Sequence, residues 1–388
     1  MTDRPDATGV NRRDFLAVGA LPIAAATLGP PATLPKRPPG TARSSQERVR
    51  VGLIGAGANV QNVQIPGFRR VPECEILAVA NRSLESSRRV ADAFGIPRAY
   101  AHWGDLLEDG DIDAILIGTW PYMHRTLTLA GLESGKHVLC QGRMANTAAE
   151  AREMLDASQR NPYLVSQLVP TSTSYHLDNV IRRLISEEYA GEILSVELQR
   201  LQGGFAEIGG ELGWRQSFEF SGYNTLNLGS TYESMMRWVG PGDRVMAMTK
   251  THVSYRRGPD GQTTSVAIPD HIDVMYELAN GAQVHMRFSA TTGLSNGSQT
   301  WIYGTEGTIH VDRDQNIFAG RRGDADLSPV ANPPEQQAYY RVEEEFINAI
   351  RGVEEVTMAT FETGVRYMDF VEAVYRSAQS GEAVYLPM

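Results

Sequence analysis

Two closely spaced glycines mark the first place in the chain where residue type and spacing indicate chemistry. Val49–Ile54 is a short apolar run that ends in Gly55-Ala56-Gly57, and a helix-like stretch follows over Val60–Arg70. In a strand, turn and helix of this order, backbone N–H groups face a pyrophosphate. The third glycine of the fingerprint is replaced by Val60, so the motif alone also fits a purely structural turn. The predicted dinucleotide contacts are Gly55, Gly57, Ala58 and Asn59.

The residues after the second apolar run bear on which dinucleotide is bound. A carboxylate there would bind the adenosine ribose hydroxyls of NAD, but the chain has Asn81-Arg82-Ser83. A guanidinium and a hydroxyl suit a 2′-phosphate. We therefore predict that Asn81, Arg82 and Ser83 contact the cofactor and that NADP(H) is favoured over NAD(H). A solvated loop arginine is the alternative.

Further apolar runs indicate the elements that must position these residues. Glu75–Ala80, Ile112–Thr119 and His137–Cys140 alternate with helical stretches, which is typical of a parallel, doubly wound α/β sheet. Thr147 and Glu150 form a capping box that predicts a helix from Ala148 to Ser158.

The second half of the chain predicts a different kind of sheet. Ile272–Leu278 and Ala282–Phe288 flank Asn280-Gly281, a strong signal for a two-residue hairpin. The 388 residues also exceed the roughly 250 to 300 at which single cores stop growing. We predict a nucleotide-binding domain over residues 49–167 and a substrate and oligomerisation domain over residues 168–388.

Several later motifs resemble the glucose–fructose oxidoreductase/inositol dehydrogenase (Gfo/Idh/MocA) family. Asp113–Thr119 followed by His124 is similar to the family's fourth strand and Thr-Pro-x-x-x-His segment, and Gly135–Cys140 to its fifth strand. Gly191-Glu192-Ile193 is similar to the entry to the family's second domain. Trp301–Val311 is similar to the family's late sheet strand, and Ser377–Pro387 to its terminus.

The resemblance implies a fold and a set of cofactor contacts. It implies a Rossmann doubly wound parallel sheet followed by an α/β domain with a large open, mostly antiparallel sheet. The nicotinamide would lie between the domains, and the helix near Thr360–Ser377 would return to the first domain. The implied contacts are Thr119, Trp120, His124 and Gln141. Trp120 would wall the nicotinamide pocket, although packing explains it equally well.

The catalytic residues of the family are replaced in this chain. Family dehydrogenases carry Glu-Lys-Pro after the fifth strand, where this chain has Gln141-Gly142-Arg143. They carry Asp-x-Gly-x-His on a second-domain helix, where this chain has Asn227-Leu228-Gly229-Ser230-Thr231. Gly142, Asn227 and Thr231 cannot accept a proton near neutral pH, so the usual mechanism does not carry over.

The replacements remain polar and still suit a hydroxylated ligand. Arg143 is a poor base, but it can orient a carboxylate or polarise a reacting oxygen, which makes it a candidate for both catalysis and substrate binding. The predicted substrate contacts are Arg143, Tyr223, Asn227 and Thr231.

Proton transfer then needs another group. Tyr232 and His176 are the first candidates for proton transfer, and Tyr175, Tyr223 and Glu233 are further candidates by chain position. For each tyrosine a half-buried packing role is the alternative.

The net charge and the Cys and His content argue against two kinds of partner, nucleic acid and a metal ion. The net charge of −10 argues against nucleic acid, because phosphate binding needs clustered Lys and Arg. Cys74 and Cys140 cannot form a disulfide framework, and the histidines lack metal-ligand spacing, so we predict no metal.

The amino terminus has the pattern of an export signal. Arg12 and Arg13 precede an apolar, charge-free run of 13 residues, Leu16–Leu28, which is shorter than the roughly 20 that span a bilayer. The pair resembles a twin-arginine signal. We predict a signal over residues 1–28, a Pro-rich linker over residues 29–48, recognition by the twin-arginine translocase, and a periplasmic or extracellular location.

Three functions are compatible with these features. The first is an exported NAD(P)-dependent oxidoreductase acting on a sugar, polyol or related compound. The second is a hydrolase or lyase that uses tightly bound NAD(P) in an internal redox cycle, and the third is a catalytically inactive ligand-binding protein. The resemblance also implies a homo-oligomer.

Overall fold

The computed structural model describes residues 48–172, 174–258 and 260–388. The predicted signal and nearly all of the predicted linker lie outside the described residues. No helix in the described ranges is long and apolar enough to cross a membrane.

The first domain alternates strands and helices. Its strands are β1 Val49–Ile54, β2 Cys74–Ala80, β3 Arg98–Tyr100, β4 Ala114–Ile117, β5 His137–Gln141 and β6 Ser166–Val169. A π-helical segment, Val60–Gln64, continues as α1 Ile65–Arg69, and the later helices are α2 Leu84–Phe94, α3 Trp103–Glu108, α4 His124–Glu133 and α5 Ala148–Arg160.

The strands form one parallel sheet in the order β3-β2-β1-β4-β5-β6. All four side chains of β4 are buried, as expected for a strand with helices on both faces. The Thr147 hydroxyl accepts a hydrogen bond from the Glu150 amide, which starts α5 at the predicted residue. The predicted doubly wound sheet is therefore confirmed.

The second domain contains a larger sheet. Its strands are β7 Ile193–Leu201, β8 Gly242–Lys250, β9 Tyr255–Arg257, β10 Thr263–Ser265, β11 His271–Leu278, β12 Gln283–Ser289, β13 Ser298–Gly304, β14 Gly307–Val311, β15 Ile317–Arg321, β16 Ser328–Val330 and β17 Val384–Tyr385. Its helices are α6 Asp178–Ser186, α7 Phe218–Ser221, α8 Leu228–Val239, α9 Val342–Ile350 and α10 Phe361–Ser380.

Nine of these strands pair in the order β16-β15-β14-β13-β7-β12-β11-β8-β17. Only the β7–β12 pairing is parallel, so the predicted open, mostly antiparallel sheet is confirmed. The predicted hairpin is also present, because β11 and β12 pair antiparallel around Asn280-Gly281. Gly281 has φ of +84°, a conformation that glycine adopts without strain.

The last two helices join the domains. Val342 and Phe346 of α9 share a hydrophobic cluster with Val51 and Leu53 of β1. On α10, Asp369 pairs with Arg152 of α5. These contacts leave a cleft between the carboxyl ends of the parallel strands and α8.

Candidate active site

The glycine turn after β1 has the shape that a dinucleotide requires. Gly55 has φ of +84°, and a Cβ at this position would lie 2.8 Å from the Thr119 amide nitrogen, so only glycine fits. A Cβ at Gly57 would meet no atom within 4 Å. Gly57 therefore leaves open space directly above the turn, where backbone can approach a pyrophosphate.

Val60 fills the place of the missing third glycine without blocking the turn. A Cβ at Gly118 would overlap Val60 Cγ2 and the Gly55 carbonyl oxygen. Gly118 at the end of β4 therefore supplies the close approach that the third glycine of the fingerprint usually supplies.

The three residues after β2 lie near the turn but have different roles. The Asn81 side-chain oxygen accepts a hydrogen bond from the Ala56 amide at 2.7 Å, so Asn81 supports the turn. The Ser83 hydroxyl caps α2 by accepting from the Ser86 amide. Arg82 is exposed to solvent at the end of the strand.

A cavity of about 550 Å³ extends from this turn to α8. It contains most of the residues that the sequence predicts for cofactor and substrate. The predicted residues that line it are Gly57, Ala58, Asn59, Thr119, Trp120, His124, Gln141, Arg143 and Asn227. Glu233, a further candidate for proton transfer in the sequence, also lines the cavity, and the residues that sequence reasoning did not assign to the site include Thr171, Ser172, Trp214, Arg215, Ser230, Tyr340 and Tyr367.

Three buried polar atoms of the lining have no partner among the described residues. They are Thr119 Oγ1, Gln141 Nε2 and Arg143 Nη1. Gln141 is held in place because its side-chain oxygen accepts from Asn59 Nδ2 at 3.2 Å. Unpaired buried polar groups are costly, so their grouping here indicates a polar ligand. With the open turn above Gly57, Thr119 Oγ1 and Gln141 Nε2 fit a dinucleotide.

The His124 side chain contacts the backbone of two loops that line the cavity. Its Nε2 lies 3.0 Å from the Thr119 carbonyl oxygen and its Nδ1 lies 2.9 Å from the Arg143 carbonyl oxygen. Burial lowers the pKa of the imidazole. His124 thus joins the loops that follow β4 and β5.

Arg143 lies at the junction of the two domains. Its Nη2 donates to Asn227 Oδ1 at 3.2 Å, and its guanidinium lies 6.0 Å from the Trp214 ring centre. The resemblance assigns the family's lysine to the neighbouring Gly142, where a Cβ would lie 2.8 Å from the Val169 carbonyl oxygen. The local backbone therefore has no room for the usual lysine.

The helix α8 presents one face to the cavity. Asn227, Ser230 and Glu233 line it, and their spacing of three residues places them along one side of a helix. At about 100° per residue, Tyr232 lies about 160° around the helix from Ser230, whereas Glu233 lies about 60° from it. The position of each residue around the helix can be read from the sequence, and it favours Glu233 over Tyr232 as the residue that faces the cavity.

The other candidates lie away from the cavity lining. Tyr232 stacks on Phe370 at 3.7 Å between ring centres, and its hydroxyl accepts from the Gly242 amide at 2.9 Å. Tyr223 packs edge-on against Phe218. His176 and Thr231 are likewise absent from the lining among the described residues; Thr231 is buried on α8 and the His176 carbonyl accepts from Asn332.

Glu233 combines burial with access to the cavity. Its Oε1 accepts from Arg237 Nη1 at 2.7 Å and its Oε2 accepts from the Thr171 amide at 3.2 Å. Arg237 is shared with Asp178, whose Oδ2 lies 2.6 Å from Arg237 Nε. Burial raises the pKa of Glu233 to about 7, although Arg237 and the Thr171 amide act in the opposite direction. Glu233 can therefore exchange a proton near neutral pH.

Two family models match the sequence. One is described as the oxidoreductase family with an NAD-binding Rossmann fold and matches residues 49–167, and the other is the GFO/IDH/MocA C-terminal domain and matches residues 179–310. Together they cover more than half of the chain. The chain belongs to the Gfo/Idh/MocA oxidoreductase family. Its first domain is an NAD-binding domain, as the glycine turn predicts.

Two of the curated relatives are named as dehydrogenases. Levoglucosan dehydrogenase of Pseudarthrobacter phenanthrenivorans is 27% identical over 310 residues, 72% of this chain and 78% of that protein. Trans-1,2-dihydrobenzene-1,2-diol dehydrogenase of Xenopus laevis is 27% identical over 241 residues, 61% of this chain and 67% of that protein.

Solved structures of the same fold agree with the architecture. Levoglucosan dehydrogenase in complex with NADH and L-sorbose is 22% identical, with a TM-score of 0.76 over 88% of this chain and 99% of that chain. Aldose-aldose oxidoreductase from Caulobacter crescentus, complexed with glycerol, is 19% identical with a TM-score of 0.73 over 88% of this chain and 100% of that chain.

Proposed function

We propose that this protein is an NAD(P)-dependent dehydrogenase of a sugar, polyol or related hydroxylated compound, with Glu233 as the proton acceptor. The observation that carries the proposal is the position of a buried carboxylate in the cavity that begins at the glycine turn. The names of the levoglucosan and dihydrodiol dehydrogenases support a hydroxylated substrate.

The chemistry requires a hydride acceptor and a proton acceptor. NAD(P), when bound in the cavity, would supply the hydride acceptor for the carbon that carries the hydroxyl. The hydroxyl proton passes to the Glu233 carboxylate, whose charge is stabilised by Arg237 and by the Thr171 amide. Asn227 and Ser230 lie on the same helix face and are placed to hydrogen-bond substrate hydroxyls.

The substitution Glu233→Gln tests this proposal. Gln keeps the shape of the side chain but cannot accept the proton, so we expect kcat to fall by about 100-fold or more, within the range of general-base effects. Turnover is followed at 340 nm with a panel of sugars and polyols, and the Kd for NAD is measured by titration calorimetry. We expect the Kd for NAD to change less than twofold.

Tyr232→Phe is the matched control. It removes a hydroxyl from the neighbouring residue but leaves the cavity unchanged, so kcat should stay within a factor of two. A folded Tyr232→Phe protein that loses turnover beside an active Glu233→Gln protein would refute the assignment of Glu233. Product formation without net absorbance change at 340 nm would instead favour the internal redox cycle.

We also propose that the protein is exported by the twin-arginine translocase to the periplasm or beyond. The support is Arg12-Arg13 followed by the apolar run Leu16–Leu28. Replacing both arginines by lysine should leave the protein in the cytoplasm of a host with this translocase, as measured by cell fractionation. Unchanged export of the lysine variant would argue against the route.

A further inference from the structure

Two guanidinium groups face the cavity without an acidic partner. Arg143 donates through Nη2 to the neutral Asn227 side chain, and its buried Nη1 has no partner among the described residues. Arg215 lies with its guanidinium 4.3 Å from the Trp214 ring centre. No ion pair within the described ranges includes either arginine. No carboxylate shifts the pKa of Arg143 or of Arg215.

The charges of the lining are unbalanced. Glu233 is the one carboxylate in the described lining, and it is already paired with Arg237 outside the lining. Burial and, to a smaller extent, the nearby charge of Arg215 lower the pKa of Arg143 to about 10. Arg143 is half-buried and Arg215 is exposed. A partly buried cation with a like charge nearby is stabilised when an anion binds both of them.

The position of Arg143 distinguishes this anion from the cofactor phosphates. Arg143 follows β5 and is bonded to Asn227 at the start of α8, on the substrate side of the cleft. The pyrophosphate is expected at the turn after β1, above Gly57. An anion between Arg143 and Arg215 would therefore belong to the substrate.

We propose that the substrate carries a carboxylate that Arg143 and Arg215 bind, so that the enzyme acts on a sugar acid. This inference rests on the proposed dehydrogenase function and names its substrate class. A guanidinium fork matches a carboxylate with two parallel hydrogen bonds, and Arg143 Nη1, which has no partner in the described part of the chain, is a donor for this contact. The Trp214 ring, stacked on Trp120 at 5.7 Å between centres, forms an apolar wall beside it.

Calorimetric titration of the full chain in the presence of NADH tests the inference. The ligands are D-gluconate, D-galactonate, D-glucuronate and D-galacturonate, each paired with its neutral counterpart: D-glucitol, galactitol, D-glucose and D-galactose. At least one acid should bind tenfold or more tightly than its neutral counterpart. Equal or weaker binding of every acid overturns the proposal, and tighter binding of D-glucose 6-phosphate than of all four acids overturns the carboxylate in favour of a phosphate.

Variants locate the binding site. Arg143→Gln and Arg215→Gln should each weaken binding of the preferred acid at least tenfold, with the Kd for NADH unchanged. Arg143→Lys keeps the charge but loses the fork and should fall between Arg143→Gln and wild type. Arg313→Gln, an exposed arginine between β14 and β15, is the matched control and should bind as wild type does.

The two proposals fail separately. If Arg143→Gln misfolds, as judged by its Tm, Arg215→Gln still tests whether an arginine charge contributes to binding of the acid, because Arg215 lies in a different segment of the chain. A wild-type enzyme that oxidises neutral sugars and gains nothing from a carboxylate overturns the sugar-acid assignment and leaves the dehydrogenase intact. An acid preference that persists in a fully active Glu233→Gln enzyme refutes the proton acceptor and leaves the substrate class intact.

Discussion

At the scale of single residues, the raised pKa of Glu233 sets the direction of the pH dependence. The carboxylate form accepts the proton, and burial raises its pKa to about 7. The rate of alcohol oxidation should therefore rise about tenfold per pH unit below pH 7 and level off above it. Reduction of the product needs the protonated acid and should decline as pH rises. The Glu233→Gln variant should lose this limb of the kcat/KM profile.

The predicted preference for NADP over NAD depends on Arg82. It is exposed at the end of β2, where no carboxylate is present to bind the ribose hydroxyls, and Asn81 is engaged with the Ala56 amide. NADP should therefore bind at least as tightly as NAD. Arg82→Ala should weaken NADP about tenfold, the size expected for one charge-assisted hydrogen bond, and change NAD less than twofold.

Arg88→Ala, an exposed arginine on α2, is the control for Arg82→Ala and should leave both dissociation constants unchanged. Calorimetry with both nucleotides measures all four values. Tighter binding of NAD than of NADP by the wild-type protein would contradict the prediction.

At the scale of elements, two glycines at the cofactor turn should respond oppositely to substitution. Gly57→Ala adds a methyl group into open space, so stability should change little while NAD binding weakens tenfold or more. Gly118→Ala would overlap Val60 and the Gly55 carbonyl, so unfolding should become easier by about 1–3 kcal/mol, the usual cost of overpacking.

Urea denaturation and NAD titration of both variants separate the two effects. Full NAD affinity in Gly57→Ala would show that the space above the turn is not used by the pyrophosphate. Unchanged stability in Gly118→Ala would show that Val60 can move away at little cost.

The helix α8 shows how far an element can be predicted. The sequence places Asn227 and Thr231 at the family's catalytic positions, but only the face of the folded helix shows which neighbours reach the cavity. Tyr232 is adjacent to Glu233 in sequence yet lies in the core against Phe370, because neighbouring helix residues point in different directions.

At the scale of the whole molecule, the open face of the large sheet predicts a homo-oligomer. Met246, Met248 and Met275 expose 45%, 78% and 59% of their surface on β8 and β11. Exposed apolar residues grouped on a sheet favour a protein interface. We expect Met248→Glu to yield a smaller species than wild type in light scattering coupled to size exclusion.

Val353→Glu changes an equally apolar exposed residue in the turn after α9 and should keep the wild-type mass. A monomeric wild-type protein would contradict the oligomer, and an unchanged Met248→Glu mass would exclude this face as the interface.

The sequence by itself determined the fold and the cofactor turn. Strand periodicity, the glycines at 55 and 57 and the Asn280-Gly281 hairpin are local patterns, and local backbone preferences are readable from neighbouring residues. The replacement of family residues at 142, 227 and 231 rests on the order of the chain alone and stays a prediction.

Only the tertiary structure decided which side chains share the cavity. Arg215, Thr171 and Tyr367 come from segments far apart in the chain, and Gly118 supplies the room that Val60 takes. Burial raises the pKa of Glu233 to about 7, and the fold leaves Arg143 Nη1 without a partner among the residues that the structure describes. Solvation and charge depend on what surrounds a group in space, and linear order does not specify those surroundings.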